Sequence, residues 1–285
     1  MEPREFEEWI GTITEDKEAI ETAPQQSFRI NTLKIPIGIF DEVSELKNKK
    51  IKWDESGRTY TDKFDIGNTF EYFLGYLHPQ SLSSMIPPLV LGPKEGEHIL
   101  DLTAAPGSKA TQIAAIMGNS GTLVANDLPE KETSLVANVA RLGALNVIIT
   151  NRDARDWPLK NEFDRVLLDV PCSALGSNQN AMKRFSISYA ESLALVQKRL
   201  IRKGFDALKD GGTLVYSTCT YSIEENENVI EYLLSVREEA DIEKIELEYV
   251  PHDNGLTAEC RKCWRIYPKH LNSEGFFIAK ITKTE

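Results

Sequence analysis

The sequence predicts an α/β protein: a doubly wound, mostly parallel sheet, with a small α+β unit ahead of it. Three observations predict it. From residue 98 onward, short apolar runs alternate with helical stretches, the signature of parallel strands joined by crossover helices. Asp101, Asp127, Asp153, Asp169 and Cys219 each fall at or just past the end of a successive apolar run. One of those ends opens into a loop of small residues, Thr103-Ala104-Ala105-Pro106-Gly107-Ser108-Lys109, that leads straight into a helix. In such a sheet the carboxyl ends of the strands share one rim, and ligands bind there.

The elements follow in order. Thr14-Glu15-Asp16 before Ala19 and Ile20 predicts a helix start with acids in its first turn. Residues 27–35 alternate apolar and polar, as a half-buried strand does. Residues 42–50 predict a charged surface helix, and Glu55-Ser56-Gly57-Arg58 a turn. This first part, residues 1–75, carries 16 acids, 10 bases and no catalytic cluster. The second part is taken as residues 76–285. It begins with a helix face of Leu82, Met85, Ile86, Leu89 and Val90, which Pro87 and Pro88 make short or kinked.

Strands are then expected at 98–102, 122–125, 146–150 and 163–169, with helices at 108–117 and around Leu135, Val139 and Leu142. A long helix is expected over 188–208, with Ser188 to Glu191 as a capping box. Gly211-Gly212 turns the chain into a fifth strand at 213–216. Ser222-Ile223-Glu224-Glu225 reads as a second capping box, opening a helix to about Leu234. The last strands are expected at 242–247 and 276–281.

Composition narrows the class. With 285 residues and 41% hydrophobic content the chain can bury a real core. No apolar run approaches the roughly 20 residues of a membrane span, and Met1-Glu2-Pro3-Arg4 lacks a signal-peptide core. Four cysteines without dense spacing fit a reducing compartment. A soluble, cytoplasmic protein is therefore expected. The net charge of -11 runs against a nucleic-acid partner, whose phosphates call for Lys and Arg. Local patches escape that average. Residues 176–209 hold seven bases (Lys183, Arg184, Lys198, Arg199, Arg202, Lys203, Lys209) against two acids, and a second cluster is Arg261, Lys262, Arg265 and Lys269. Any single one of these reads equally as part of a solvated face. Cys260 and Cys263 are spaced like half a zinc site, but only His252 and His270 lie nearby, so no metal is expected.

The chemistry-bearing residues converge on the rim. Cys219 follows the apolar run 213–216, and Cys172 stands in Asp169-Val170-Pro171-Cys172 after the run 165–168. Either thiol alone reads as a buried small hydrophobe. Two at two strand ends, beside the small-residue loop, point to a nucleophile and a partner. The loop lets a ligand approach the backbone, and the helix N-terminus behind it suits a carboxylate or phosphate. It matches neither a P-loop nor the dinucleotide fingerprint. Asp127, ending the second strand, can accept hydrogen bonds from ribose hydroxyls. A nucleoside-bearing cofactor across the rim fits the set.

The stretches 101–109, 169–173 and 217–220 resemble three signature motifs of the nucleolar-protein/Sun family of RNA (cytosine-5) methyltransferases, in particular its archaeal tRNA-methylating members. Phe28-Arg29-Ile30-Asn31-Thr32-Leu33-Lys34, the start of the helix after Pro79, and Gly275-Phe276-Phe277-Ile278-Ala279-Lys280 match as well. The resemblance implies a class I (Rossmann-like) methyltransferase sheet, a small RNA-associated N-terminal domain, S-adenosylmethionine as cofactor and RNA as partner, tRNA ahead of rRNA. It implies that Thr103, Ala104, Ala105, Pro106, Gly107, Ser108 and Lys109 wrap the methionine end of the cofactor. Asp127 would hold the ribose, Asp153 the adenine amino group, and Asp169 would lie between cofactor and base. Cys219 would be the nucleophile and Cys172 its assistant, with the bases at 183–203 on the RNA backbone. Thr103, Glu130-Lys131-Glu132 and Lys269 depart from the family pattern without touching the nucleophile. The rival readings are a methyltransferase of protein or small molecules, which leaves both thiols idle, and a non-catalytic RNA scaffold.

Overall fold

Two sheets organise the chain. The computed structural model describes residues 8–14, 24–61, 65–177 and 185–284. The helix start expected at Thr14 falls mostly outside them, as do Lys183 and Arg184.

The first sheet is antiparallel, with strands β1 (Ser27–Ile30), β2 (Asn48–Lys50), β3 (Gly57–Tyr60) and β4 (Leu77–Pro79) in the order β2-β3-β1-β4. The alternation that predicted β1 is present, but its polar side does not face water. Phe28 and Ile30 enter a core with Phe40, Tyr60 and Leu77. Arg29 points the other way, into the seam with the second sheet, where its guanidinium donates to Gln80 (3.3 Å) and Thr111 (3.2 Å). Burial with only neutral acceptors lowers Arg29 to about 10. The helix expected at 42–50 lies earlier: α1 is Ile37–Val43, and the lysines of 48–50 form the edge strand β2. Charged residues, Lys above all, suit an exposed strand edge because they discourage further pairing. A one-turn helix, α2 (Phe70–Phe73), leads into β4.

Helix α3 (Leu82–Leu91) carries Pro87 and Pro88 in its second half and stops at left-handed Gly92. The second sheet then begins. Its parallel strands are β5 (His98–Asp101), β6 (Thr122–Asp127), β7 (Val147–Asn151), β8 (Phe163–Asp169) and β9 (Leu208–Thr218). Helices α4 (Ser108–Ile116), α5 (Glu132–Leu142) and α6 (Ile187–Ala207) cross between them. After helix α7 (Glu227–Val236) come β10 (Ala240–Glu243), β11 (Asp253–Asn254), β12 (Trp264–Ile266), the short α8 (Pro268–Leu271) and β13 (Phe276–Lys283). The order is β11-β12-β13-β9-β8-β5-β6-β7, with β10 on β13, so the sheet is parallel on one side and antiparallel on the other. Among the described residues no helix is long and apolar enough to cross a membrane.

Three expectations shift. Helix α6 is capped by Ser186, whose hydroxyl accepts from Tyr189 N–H, one turn-step ahead of Ser188. The strand expected at 242–247 is β10, two residues earlier at its start. The Ser222 box does not open a helix: α7 starts at Glu227, and the Glu225 carboxylate turns inward to Ser173 instead of back to the cap. The inward acid is fully buried, so the sequence pattern of a cap conceals a core carboxylate.

Candidate functional site

The site forms where the strand order reverses. The chain lays β6 and β7 on one flank of β5, then returns to lay β8 and β9 on the other. Asp101 and Asp169 end the two strands on either side of that switch point, the usual binding crevice of an open α/β sheet. Two adjoining cavities open there. One, about 280 Å³, is lined by residues including Gln80, Ser108, Lys109, Asp169, Ser177, Cys219, Glu274 and Phe276. The other, about 100 Å³, is lined by Asp101, Thr103, Ala104, Ala105 and Pro106. Ser84, Ser108, Lys109 and Asp169 face both.

The small-residue loop is held by its own backbone. Ala104 N–H donates to the Asn126 carbonyl at 2.8 Å, and Gly107 N–H to the Ala104 carbonyl at 2.7 Å. Gly107 has φ 102° and caps α4; a Cβ there would sit 3.0 Å from Leu135 Cδ1. Ser108 is set by a relay. Arg141 can only donate, so the 2.8 Å contact makes His78 Nδ1 an acceptor, and Nε2–H then donates to Ser108 Oγ at 2.8 Å. That leaves the Ser108 hydroxyl proton free to point into the cavities. Burial and the two neighbouring arginines, Arg29 and Arg141, drop His78 to about 3, which keeps it neutral. Asp101 has two buried oxygens without a hydrogen-bond partner, and burial, followed by the neighbouring Asp169, pushes it up to about 8.

Asp169 is clamped at both oxygens. Lys109 Nζ lies 2.6 Å from Oδ2, and Ser217 Oγ donates to Oδ1 at 2.6 Å. The strand register produces the second contact, because Asp169 pairs with Ser217 across β8 and β9. Thr103 Oγ1 donates to the Asp169 carbonyl at 2.9 Å, tying the loop to the same strand end.

The two thiols meet beside that carboxylate. Cys172 Sγ and Cys219 Sγ are 3.2 Å apart, and both cysteines are free and half-buried. Their surroundings separate them. The hydrogen bond from Cys172 lowers Cys219, with Ser177 and Lys109 helping. The same contact and burial raise Cys172 well above the usual thiol range, with Glu225 adding to the rise. The pair is thus biased toward Cys172 as the donor and Cys219 as the sulfur that gives up its proton more readily. The Cys219 backbone is pinned as well. Its carbonyl accepts from Gly176 N–H (2.9 Å), and the Gly176 carbonyl accepts from Gly275 N–H (2.9 Å). Both glycines are required by contact: a Cβ on Gly176 would reach the Gly275 carbonyl at 2.3 Å, and one on Gly275 the Tyr221 ring at 2.1 Å.

Cys219, Cys172, Asp169, Lys109, Ser108 and the loop 103–107 are therefore brought together. Asp127 and Asp153 stand further along the rim and line neither of these cavities. Asp127 accepts from Ala105 N–H (2.9 Å) and Leu128 N–H (2.8 Å), and Lys131 lies 3.2 Å from it. Asp153 is taken by the Arg155 side chain, which lowers it to about 2. The basic clusters behave differently from each other. Arg199 and Lys209 on and after α6 pair with Asp156 and Asp164. Arg265, counted with the second cluster, is no surface base: it is buried on Glu227 at 2.5 Å. Sequence reasoning placed Ser217 in the 217–220 stretch without giving it a role, and missed Ser177 and Glu274. Ser177 carries no pattern of its own; Glu274, raised by burial and accepting from Ser81 Oγ at 2.8 Å, adjoins a matched motif and was findable there.

Comparison with known proteins agrees in direction. A family profile described as 16S rRNA methyltransferase RsmB/F matches residues 88–282. A tRNA (cytosine(49)-C(5))-methyltransferase of Pyrococcus abyssi is 41% identical over 276 residues, 90% of this chain and 88% of that protein. The ribosomal RNA small subunit methyltransferase F of Vibrio vulnificus is 39% identical over 275 residues, 91% of this chain, but the chain spans only 58% of its length. Among solved structures, a methyltransferase homolog from Pyrococcus horikoshii is similar with a TM-score of 0.82 at 34% identity, covering 93% of this chain and 88% of that one.

Proposed function

The chain belongs to the RsmB/F family of RNA methyltransferases, and on that premise we propose that it methylates C5 of a cytosine in RNA through a covalent bond between Cys219 and C6. The observation that carries the reading is Cys219 at a cavity shared with Asp169 and Lys109, with Cys172 Sγ 3.2 Å behind it. A protein or small-molecule methyltransferase has no use for that pair.

Cytosine C5 is a poor nucleophile until a group adds at C6, and a thiolate does this well at low basicity. The Cys219 thiolate forms the S–C6 bond, and the electron pair of the C5–C6 double bond moves toward C5. Asp169, held by Lys109 and Ser217, faces the base from the strand end and is suited to its N3 and exocyclic amine. S-adenosylmethionine supplies the electrophilic methyl group that C5 takes up. Solvent water then takes the C5 proton as base, the C5–H electron pair reforms the C5–C6 double bond, and the S–C6 electrons return to Cys219. The Cys172 S–H receives that departing thiolate as a hydrogen-bond donor. The base must leave its stack to be reached on both faces, which favours loops or flipped nucleotides.

The residues fit the cofactor's amino-acid end. The α4 N-terminus and Ser108 suit its carboxylate, and the unpartnered Asp101 oxygens suit its ammonium. Thr103, Ala104, Ala105, Pro106, Gly107 and Lys109 would surround that end. Asp127, whose Oδ2 accepts only from Ala105 N–H, would take the ribose, and Asp153 would take the adenine amino group in exchange for its contacts with Arg155. In this reading residues 1–75 form the RNA-associated unit and 76–285 the methyl-transferring one.

The RNA is read as tRNA rather than rRNA, because the tRNA-modifying relative is the more similar of the two named above, at 41% identity against 39%. Bisulfite sequencing of tRNA and rRNA from cells with and without the protein tests this, with protection of one tRNA cytosine expected. Labelled-methyl transfer to protein or metabolites, with none to RNA, would overturn it.

A further inference from the structure

Cys172 lies on a segment without regular secondary structure, residues 170–177. Something must hold its sulfur at 3.2 Å from Cys219, and the contacts converge on Glu225. Ser173 N–H donates to Glu225 Oε2 at 2.9 Å, and Ser173 Oγ donates to Oε1 at 2.5 Å. Gln197 of α6 donates from Nε2 both to Glu225 Oε2 and to the Pro171 carbonyl, each at 3.0 Å. The Cys172 segment is thus bracketed on both sides of the thiol by one carboxylate and its amide partner. The Cys219 side is tied to the same point. Thr220 Oγ1 lies 2.7 Å from Ser173 Oγ, and Tyr216 of β9 donates its hydroxyl to the Glu225 carbonyl at 2.6 Å.

Glu225 has no exposed surface, and among the described residues no Lys, Arg or His pairs with it. A buried acid held only by neutral donors is costly, whereas an apolar side chain of similar volume is not. Burial raises the Glu225 carboxyl, and the bonds from Ser173 and Gln197 work the other way; when ionised, its charge is among the main causes that raise Cys172 and is not among the main ones acting on Cys219. Two chemically identical thiols thereby become unequal.

We propose that Glu225 is a positioning residue for the reaction: it locks the Cys172 segment onto the Cys219 loop and keeps Cys172 as the hydrogen-bond donor of the pair, so that Cys219 alone presents a nucleophilic sulfur. The inference rests on the roles given above to the two cysteines.

Two variants of the full-length protein separate holding from charge. Glu225→Gln keeps an oxygen for Ser173 N–H and Gln197 and places an NH₂ against Ser173 Oγ, so the contacts survive while the charge goes. Ser173→Ala removes a side-chain contact and keeps the charge. The first readout is iodoacetamide labelling of each cysteine against pH, followed by peptide mass spectrometry. The titratable groups facing Cys172 are Cys219, Glu225 and Tyr216. In the unaltered protein Cys219 labels first. In Glu225→Gln the onset for Cys172 moves down by about one pH unit, cutting the Cys219-to-Cys172 ratio roughly tenfold at fixed pH. In Ser173→Ala the onset holds, and the covalent RNA adduct persists longer on a denaturing gel.

Unchanged labelling in Glu225→Gln together with unchanged adduct lifetime in Ser173→Ala overturns the proposal. So does equal acceleration at all four cysteines, which marks general loosening. If Glu225→Gln does not fold, the Ser173→Ala adduct lifetime decides. The two readings fail separately: a labelling shift without any RNA methylation sinks the proposed function and leaves Glu225 standing, and methylation with no shift and no persistent adduct does the reverse.

Discussion

The chain has two pairs of neighbouring cysteines, and their contrast shows how surroundings set a thiol's acidity. Cys172 and Cys219 come from two different strand ends and meet where Cys219 lines a cavity. Cys260 and Cys263 come from one short loop and sit fully buried in the main core, beside Val229, Ile230 and Phe277. In the first pair a hydrogen bond between sulfurs lowers one partner, Cys219. In the second the same kind of contact and burial only raise Cys263. Proximity of sulfurs is common to both. What differs is an opening, with Ser177 and Lys109 placed to favour the charged form. Among the described residues no cluster of three or more His, Cys, Asp or Glu side chains is set to hold a metal at either pair.

The contrast can be broken most severely at Cys219. Its change to Ala is expected to lower RNA methylation by about a thousandfold or more while cofactor binding persists; a retained rate measured with labelled cofactor would end the mechanism. Next comes Cys172→Ala, expected to form the first adduct and then stall. Steady turnover should fall by about a hundredfold, with a slow band on a denaturing gel; normal turnover without that band would remove Cys172 from the release step.

A smaller effect sharpens the comparison by pH. Lowering of Cys219 means its alkylation sets in below the ordinary thiol range, whereas Cys263 should resist until alkaline pH or unfolding. Mass spectrometry of time points at several pH values checks the order; simultaneous labelling of both would erase the distinction. The smallest effect is expected at Cys263→Ala. It leaves a small cavity in the core at a cost of about 1–2 kcal/mol, seen as a fall of a few degrees in thermal midpoint, with methylation within twofold of the unaltered protein. Loss of methylation at full stability would mean the buried pair belongs to the site after all.

Much of this was legible in the sequence because the rim of a parallel sheet is a linear code. Each strand end is marked by where an apolar run stops, so Asp101, Asp127, Asp169 and Cys219 could be placed on one edge from their positions alone. The two sulfurs could be paired for the same reason, since β8 and β9 are neighbours in register. What failed to show were side chains whose roles depend on rotamer and burial. Glu225 matched a capping pattern that the fold does not use, and Arg265 looked like a surface base while balancing Glu227 inside the core. The polar face of β1 looked solvated because alternation reports two faces, not what covers the second. The charged run at 42–50 misled because lysines suit an edge strand as well as a helix.

The short clasp between Gly176 and Gly275 carries one further consequence. Gly275, which holds Gly176 against the Cys219 carbonyl, is followed at once by β13, which also fills the place beside β9. During synthesis, β5 through β9 emerge long before residue 276. A nascent chain would therefore hold the Cys219 loop through Gly176 alone until that last ribbon slides home, so on the proposed reading competence to bond a pyrimidine would arrive late, after the 103–109 loop is already built.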